Sequence, residues 1–127
     1  MNTCQAFFEA MHERFPMLAE KADRLYETYW AESPADEDAY FVWFESLANA
    51  VNSDMRHGAA ALQAKPVFEY IHEVFDNGSD QVKRCIDVSF VENLFWRVAP
   101  ERALPYWKAL PTPLKALYIQ FHGRPPE

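Results

Sequence analysis

The residues best suited to chemistry are two Glu-x-x-His pairs, Glu9-Ala-Met-His12 and Glu69-Tyr-Ile-His72. Positions three apart share a helix face. Two such pairs on facing helices supply half the ligands of a di-iron carboxylate centre, provided that they project inward. The apolar stripes argue against that. Cys4, Phe8, Met11 and Phe15 mark the inner side of the first segment, with Glu9 opposite. Val67, Ile71, Val74 and Phe75 mark that of the later one, with Glu69 opposite. Both pairs are expected to face water, so no metal and no other cofactor is predicted. His12 and His72 then read as interfacial polar residues, His57 as part of an irregular stretch before Gly58, and His122 as a donor to the last carbonyls of its helix. There is no Gly-x-Ser-x-Gly elbow, three glycines cannot build a phosphate loop, and Cys85 reads as a packing thiol. The expectation is a protein that is not an enzyme and has no catalytic residues.

Glu92 is the carboxylate closest to an apolar arc, that of Cys85, Val88, Ser89, Phe95 and Trp96. A buried carboxylate must find donors or hold its proton. Glu92 is therefore expected to be a buried polar anchor to a helix end or to Arg97 or Arg102. The alternative is an acid with a raised pKa in a pocket near Trp96 and Trp107, in a small enzyme or ligand-binding domain.

These side chains need elements to position them, and the punctuation is helical. Nine prolines fall between apolar-periodic segments. Thr3 caps a first helix to about Arg14. Pro16 opens a second to about Ala31, with Leu18, Ala22, Leu25 and Tyr29 inward. Ser33-Pro34 caps and opens a third to about Asn52, with Tyr40, Phe44, Leu47 and Val51 inward. Met55–Ala64 is short or frayed, and Pro66 starts a helix through Phe75. Asn77-Gly78 stops it, and Ser79 caps a helix from Asp80 to about Val98. The stretch from Ile86 to Val91 could be argued as a strand, but helical spacing continues on both sides. Short helices over 101–110 and 113–122 complete the chain. The helix of about 80–98 is apolar around most of its circumference, which predicts a central position. The fold class is all-α: six or seven helices in antiparallel pairs packed around that central helix, one domain over 1–123 with a Pro-rich tail at 124–127.

The 127 residues carry a formal charge of −7, half of them are apolar and 20 are aromatic. That composition excludes general disorder and fits a single core. No stretch approaches the roughly 20 apolar residues of a membrane span. The first 15 residues do not read as a secretory signal, and two cysteines far apart in sequence make no disulfide framework, so a cytoplasmic location is expected. The acidity argues against direct nucleic-acid binding. Its distribution is more informative. Residues 1–50 hold ten carboxylates against three cations, whereas residues 51–127 hold nine of each sign.

That charge falls on a definable surface. Glu20, Asp23, Glu27 and Trp30 lie away from the inner stripe of the second helix. Asp38, Phe41, Val42, Glu45, Asn49 and Asn52 do so on the third. Large apolar side chains within a carboxylate rim are the anatomy of a protein-binding surface. The other reading is that the carboxylates are simply solvated, and that Trp30, Phe41 and Val42 cover a neighbouring helix.

The run from Asn77 to Leu94, with its Val88-Ser89-Phe90-Val91-Glu92-Asn93-Leu94 core, and the segment Leu110-Pro111-Thr112-Pro113-Leu114-Lys115-Ala116-Leu117 carry a likeness. They resemble small, acidic, all-helical bacterial domains of unknown function, some of which look like toxin-immunity proteins. The resemblance lies mainly in residues 77–122 and rests on packing motifs. It implies a stoichiometric cytoplasmic protein that binds and neutralises a cognate toxin, which the acidic half suggests is basic. A general interaction adaptor is the blander alternative.

Overall fold

Capping side chains set where the helices begin. The computed structural model describes residues 1–30 and 32–126. In α1 (Cys4–Arg14), Thr3 Oγ1 accepts the Ala6 amide at 3.0 Å. Pro16 opens α2 (Pro16–Trp30), whose expected end at Ala31 lies outside the described residues, as does Glu127. α3 (Glu37–Arg56) starts three residues later than the Ser33-Pro34 expectation, because Asp36 is the residue whose side chain accepts a first-turn amide, that of Ala39, at 2.8 Å. A 3-10 turn at Ala61–Gln63 leads into α4 (Lys65–Asn77), and Ser79 caps α5 (Asp80–Cys85) by accepting the Val82 amide. Pro100 opens α6 (Pro100–Ala109). α7 (Thr112–His122) ends on Gly123 in the left-handed region, where a side chain would be strained. The protein is all-α, with seven α-helices and no strand among the described residues.

The segment 80–98 is central but is not one helix. After α5 the coil widens into a π-helical turn, Ile86–Val91, in which the Glu92 amide reaches the Asp87 carbonyl five residues back at 3.1 Å. Phe95 and Arg97 then take positive φ values of 69° and 53°, and the helix is over. Two left-handed non-glycine residues so close together cost of order 1–3 kcal/mol each. α3 holds them in place. The Asn52 carboxamide accepts the Phe95 amide at 2.7 Å and donates to the Asn93 carbonyl at 2.8 Å. Arg56 donates to the carbonyls of Arg97 and Trp96 at 3.1 and 3.0 Å. Asn52 is therefore fully buried and not part of the outer face. The turn swings Phe95 inward against Trp107 and Tyr118 and leaves Trp96 exposed beneath the Arg97 guanidinium.

The core is shared between this segment and α3, which buries ten side chains along its 20 residues, from Tyr40 and Trp43 to Met55. Every turn of α3 meets something: α1, α2, the π-helical turn or α6. α2 and α3 run antiparallel. Lys21 near the start of α2 pairs with Asp54 near the end of α3, and Tyr26 near the end of α2 feels Asp36 at the start of α3. The inner stripe of α2 is Ala19, Ala22 and Tyr26, rotated from the expected line, so that Tyr29 points out. In α1 the buried line is Cys4, Phe7 and Met11. Cys4 and Cys85, 81 positions apart in sequence, become core neighbours. The Cys4 thiol faces the Gln81 carbonyl, and the Cys85 thiol is pushed up by its hydrogen bond with Cys4 and then by burial. Both are free thiols.

The Asn52 clamp is testable. Asn52→Ala is expected to lower the unfolding free energy by about 2–3 kcal/mol, because it orphans a buried amide and a carbonyl in a strained turn. Urea denaturation measures it. A loss below about 0.5 kcal/mol, the range of ordinary surface substitutions, would mean the turn holds itself.

Candidate functional site

Three helices meet at the Asp23 carboxylate. His12, in the last turn of α1, presents Nε2 to both Asp23 oxygens at 2.9 Å, and its Nδ1 faces the Phe8 carbonyl at 2.8 Å. Both ring nitrogens thus face acceptor oxygens, one from its own helix and one from α2. From α3, the Trp43 indole N–H donates to Asp23 Oδ1 at 2.8 Å. Asp23 is thus not a free member of the acidic surface: its charge is spent on fastening α1 and α3 to α2. The first Glu-x-x-His pair is resolved by the same geometry, with His12 turned to Asp23 and Glu9 exposed. In the second, Glu69 lies toward Lys65 and His72 toward Asp76.

The other expected face residues divide in two. Glu20 and Glu27 are exposed on α2, as are Asp38 and Glu45 on α3. Glu20 pairs with Arg24 at 2.6 Å, and the Glu45 carboxyl is pushed up by partial desolvation. Trp30 is 53% exposed, stacks on Tyr26 with centroids 6.3 Å apart, and is joined by Tyr29, 80% exposed. Phe41 and Val42, by contrast, are half-buried against the core, as the covering reading had it. Asn49 is half-buried too, and its Oδ1 accepts from Asn52 at 3.3 Å, so it belongs with the turn after the π-helix. Of the residues expected to face a partner, Glu20, Glu27 and Trp30 on α2 and Asp38 and Glu45 on α3 are exposed, and Tyr29, expected inward, is exposed as well.

Two concavities adjoin α2. The smaller, about 300 Å³, lies between α1, α2 and the 32–36 connection; Phe8, Tyr26 and Pro34 give it apolar walls, and His12, Asp23, Glu27 and Ser33 give it polar ones. The larger, about 570 Å³, is a mostly apolar groove lined by Phe15, Leu18, Val51, Val67 and Tyr106, with the Lys21–Asp54 ion pair on its wall. Neither is lined by Glu92, Trp96 or Trp107.

Residues 8–123 match a protein family described as a domain of unknown function, DUF7674. The chain belongs to this family. The match takes in the acidic helices as well as the C-terminal segments on which the earlier likeness rested, and the family's description assigns no activity. No curated protein and no solved structure matches the chain.

Within this DUF7674 domain Glu92 is half-buried, and its backbone, not its carboxylate, makes the inter-helix contact: the carbonyl accepts from His122 Nε2 at 3.0 Å. Arg97 lies over the Trp96 ring and Arg102 lies against Gly58, so neither reaches Glu92 as expected. The buried polar anchor is Asn52 instead. Partial burial pushes the Glu92 carboxyl up, Asp87 adds to this, and His122 opposes it. The π-helical turn explains the Asp87 effect, because a five-residue repeat brings positions 87 and 92 to one face.

Asp23→Ala should cost about 2 kcal/mol of stability and leave the Trp43 indole without its partner. Thermal unfolding and the Trp43 emission maximum report both. Glu92→Gln should do the reverse at neutral pH. A carboxyl whose folded pKa is raised holds its proton more tightly when folded, so its ionisation opposes folding above that value. The penalty fades as pH falls and is gone below the unfolded value of about 4.3. Glu92→Gln is therefore expected to be more stable than the parent at pH 7 and equal to it near about pH 4. Equal stability at both pH values would contradict the strain assigned to Glu92.

Proposed function

We propose that this domain works by stoichiometric binding of a basic protein partner through the outer side of α2 and the exposed carboxylates of α3. The observation that carries the reading is the exposure of the consecutive aromatics Tyr29 and Trp30 at the end of α2, the helix that also exposes Glu20 and Glu27. A surface meant only for water has no use for two neighbouring large aromatics. A binding surface uses them as anchors within a charged rim. The charge distribution supports this, since all the net charge lies in residues 1–50 and the remainder is neutral. Among the described residues no helix is long and apolar enough to cross a membrane.

The partner class we favour is a bacterial toxin, with this chain as its cytoplasmic immunity protein; the likeness in residues 77–122 is what suggests it. Neutralisation then needs no catalysis here. One copy covers the toxin's active site or the approach of its substrate. An adaptor with an unrelated basic partner would use the same face. A ligand-binding domain centred on Glu92 has less support, because neither concavity lies there.

The product of a neighbouring reading frame is expected to kill cells lacking this protein and to bind it one to one. Reversing the charge of Glu27, Asp38 and Glu45 together should slow association several-fold at low salt and flatten its salt dependence. Trp30→Ala should act chiefly on dissociation, speeding it about tenfold or more. Surface plasmon resonance across a salt series separates the two, and unchanged kinetics in both variants would remove this face as the site.

A further inference from the structure

The cleft between α1, α2 and the 32–36 connection holds more negative charge than its walls neutralise. Asp23 and Glu27 line it directly. Glu32 and Asp36 flank the lining residues Ser33 and Pro34 in the connection, and Tyr26 feels both: its hydroxyl is pushed up by desolvation first and then by these two carboxylates. Against the acids the lining offers one basic side chain, His12, whose Nε2 is already committed to Asp23. Arg24, the nearest cation along α2, is turned to Glu20. Among the described residues no side-chain hydrogen bond or ion pair occupies Glu27, which is exposed at the opening. The remaining wall is ring surface: Phe8 on one side and Tyr26 on the other, with Trp30 stacked on Tyr26 one ring further out.

The volume, about 300 Å³, is at the bottom of the range of about 300–1,000 Å³ that houses drug-sized ligands, so the space suits one long side chain better than a cofactor. Carboxylates beside aromatic faces select a flat cation. A guanidinium can set its fork on a carboxylate and its plane against a ring, whereas an ammonium brings the charge without the plane.

We propose that this cleft is the seat for an arginine side chain of the partner. The proposal rests on the reading above that a basic protein docks on α2, and it names the contact that gives that docking its specificity. The guanidinium donates to Glu27 and lies against Phe8 and Tyr26. The His12–Asp23–Trp43 cluster forms the rigid floor and is not itself displaced.

The test needs no partner. Titrating the protein with N-acetyl-arginine methylamide at constant ionic strength should shift the Trp43 indole N–H and His12 ring resonances saturably. The blocked lysine analogue should bind at least about threefold more weakly, and the blocked norleucine analogue, which has the chain without the charge, should produce no saturable shift. Glu27→Gln, which removes none of the Asp23 hydrogen bonds, should weaken blocked arginine about fivefold with Tm unchanged. Absence of a saturable shift, an equal response to norleucine, or indifference to Glu27→Gln overturns the proposal. The two readings fail separately. A partner that responds to charge reversal on α3 while blocked arginine does not bind leaves the face and removes the cleft. Blocked arginine that binds to a protein whose partner ignores the face leaves the cleft and removes the face.

Discussion

One carboxylate, Asp23, decides how the acidic half of this domain is put together. α1 and α2 are joined by the single residue Phe15, which keeps them adjacent and leaves side-chain contacts to choose among the few angles so short a link permits. The polar contacts converge on Asp23, which takes His12 from α1 and the Trp43 indole from α3. The aromatic rings around it follow. Phe8 packs against His12, Tyr40 and Trp43, and Trp43 against Phe44, so the interface is a continuous ring stack built about one hydrogen-bonded centre. A cluster with every donor and acceptor matched specifies one arrangement; a half-matched one would be worse than an apolar interface. The cleft beside it exists because the polar centre, and not a close-packed apolar contact, occupies that junction.

The opposite end of α3 solves a different problem. The path from Asp80 must bury Val82, Cys85, Ile86, Phe90 and Val91 and then turn back toward α6. A regular helix would carry Phe95 past the Trp107–Tyr118 pocket. Widening to a π-helical turn and then entering the left-handed region brings it in. The strain this creates is offset by Asn52 and Arg56, which lie one turn apart and together hold the peptide groups of Asn93, Phe95, Trp96 and Arg97. α3 thus works as a strut with polar fastenings on both sides of its length: Trp43 toward the acidic helices, and Asn52 with Arg56 toward the irregular turn. Its apolar residues fill the space between.

Much of this was legible in the residues, and the parts that were not share a cause. The all-helical class, the stops at Asn77-Gly78 and Gly123, and the caps at Thr3 and Ser79 follow from local chemistry that tertiary packing did not override. Ser33-Pro34 is a good start for the third helix, yet Asp36 is a competing cap three residues on and it is the one used. The apolar pattern of α2 points to a stripe through Leu18, Ala22, Leu25 and Tyr29, led by the large apolar residues, and of these only Ala22 is buried. The buried line runs through Ala19, Ala22 and Tyr26, since close helix pairing with α3 favours small side chains. Drawn that way, Asp23 falls four residues from Ala19 on the interface edge, which was the available signal that it is not a solvent residue. Asn52 and the left-handed turn had no such signal. Nothing local to Phe95 or Arg97 asks for positive φ, and the conformation is imposed by side chains some 40 positions earlier.

The acidic surface that results separates two tasks that binding must perform. In the proposed role, exposed carboxylates act at a distance: they raise the rate at which a basic partner arrives and orient it, and salt screens them. Tyr29, Trp30 and the ringed cleft act only on contact, by removing area from water and by matching shape. They therefore set how long a complex lasts. Asp23 joins the two. Had it remained free on the surface, it would have added one more carboxylate to a face already rich in them, for little extra steering. Committed to His12 and Trp43, it fixes instead the geometry of the cleft beside it. If the proposed role holds, recognition of one basic protein among many gains more from a rigid, selective contact than from a further increment of attraction, since attraction alone does not distinguish partners.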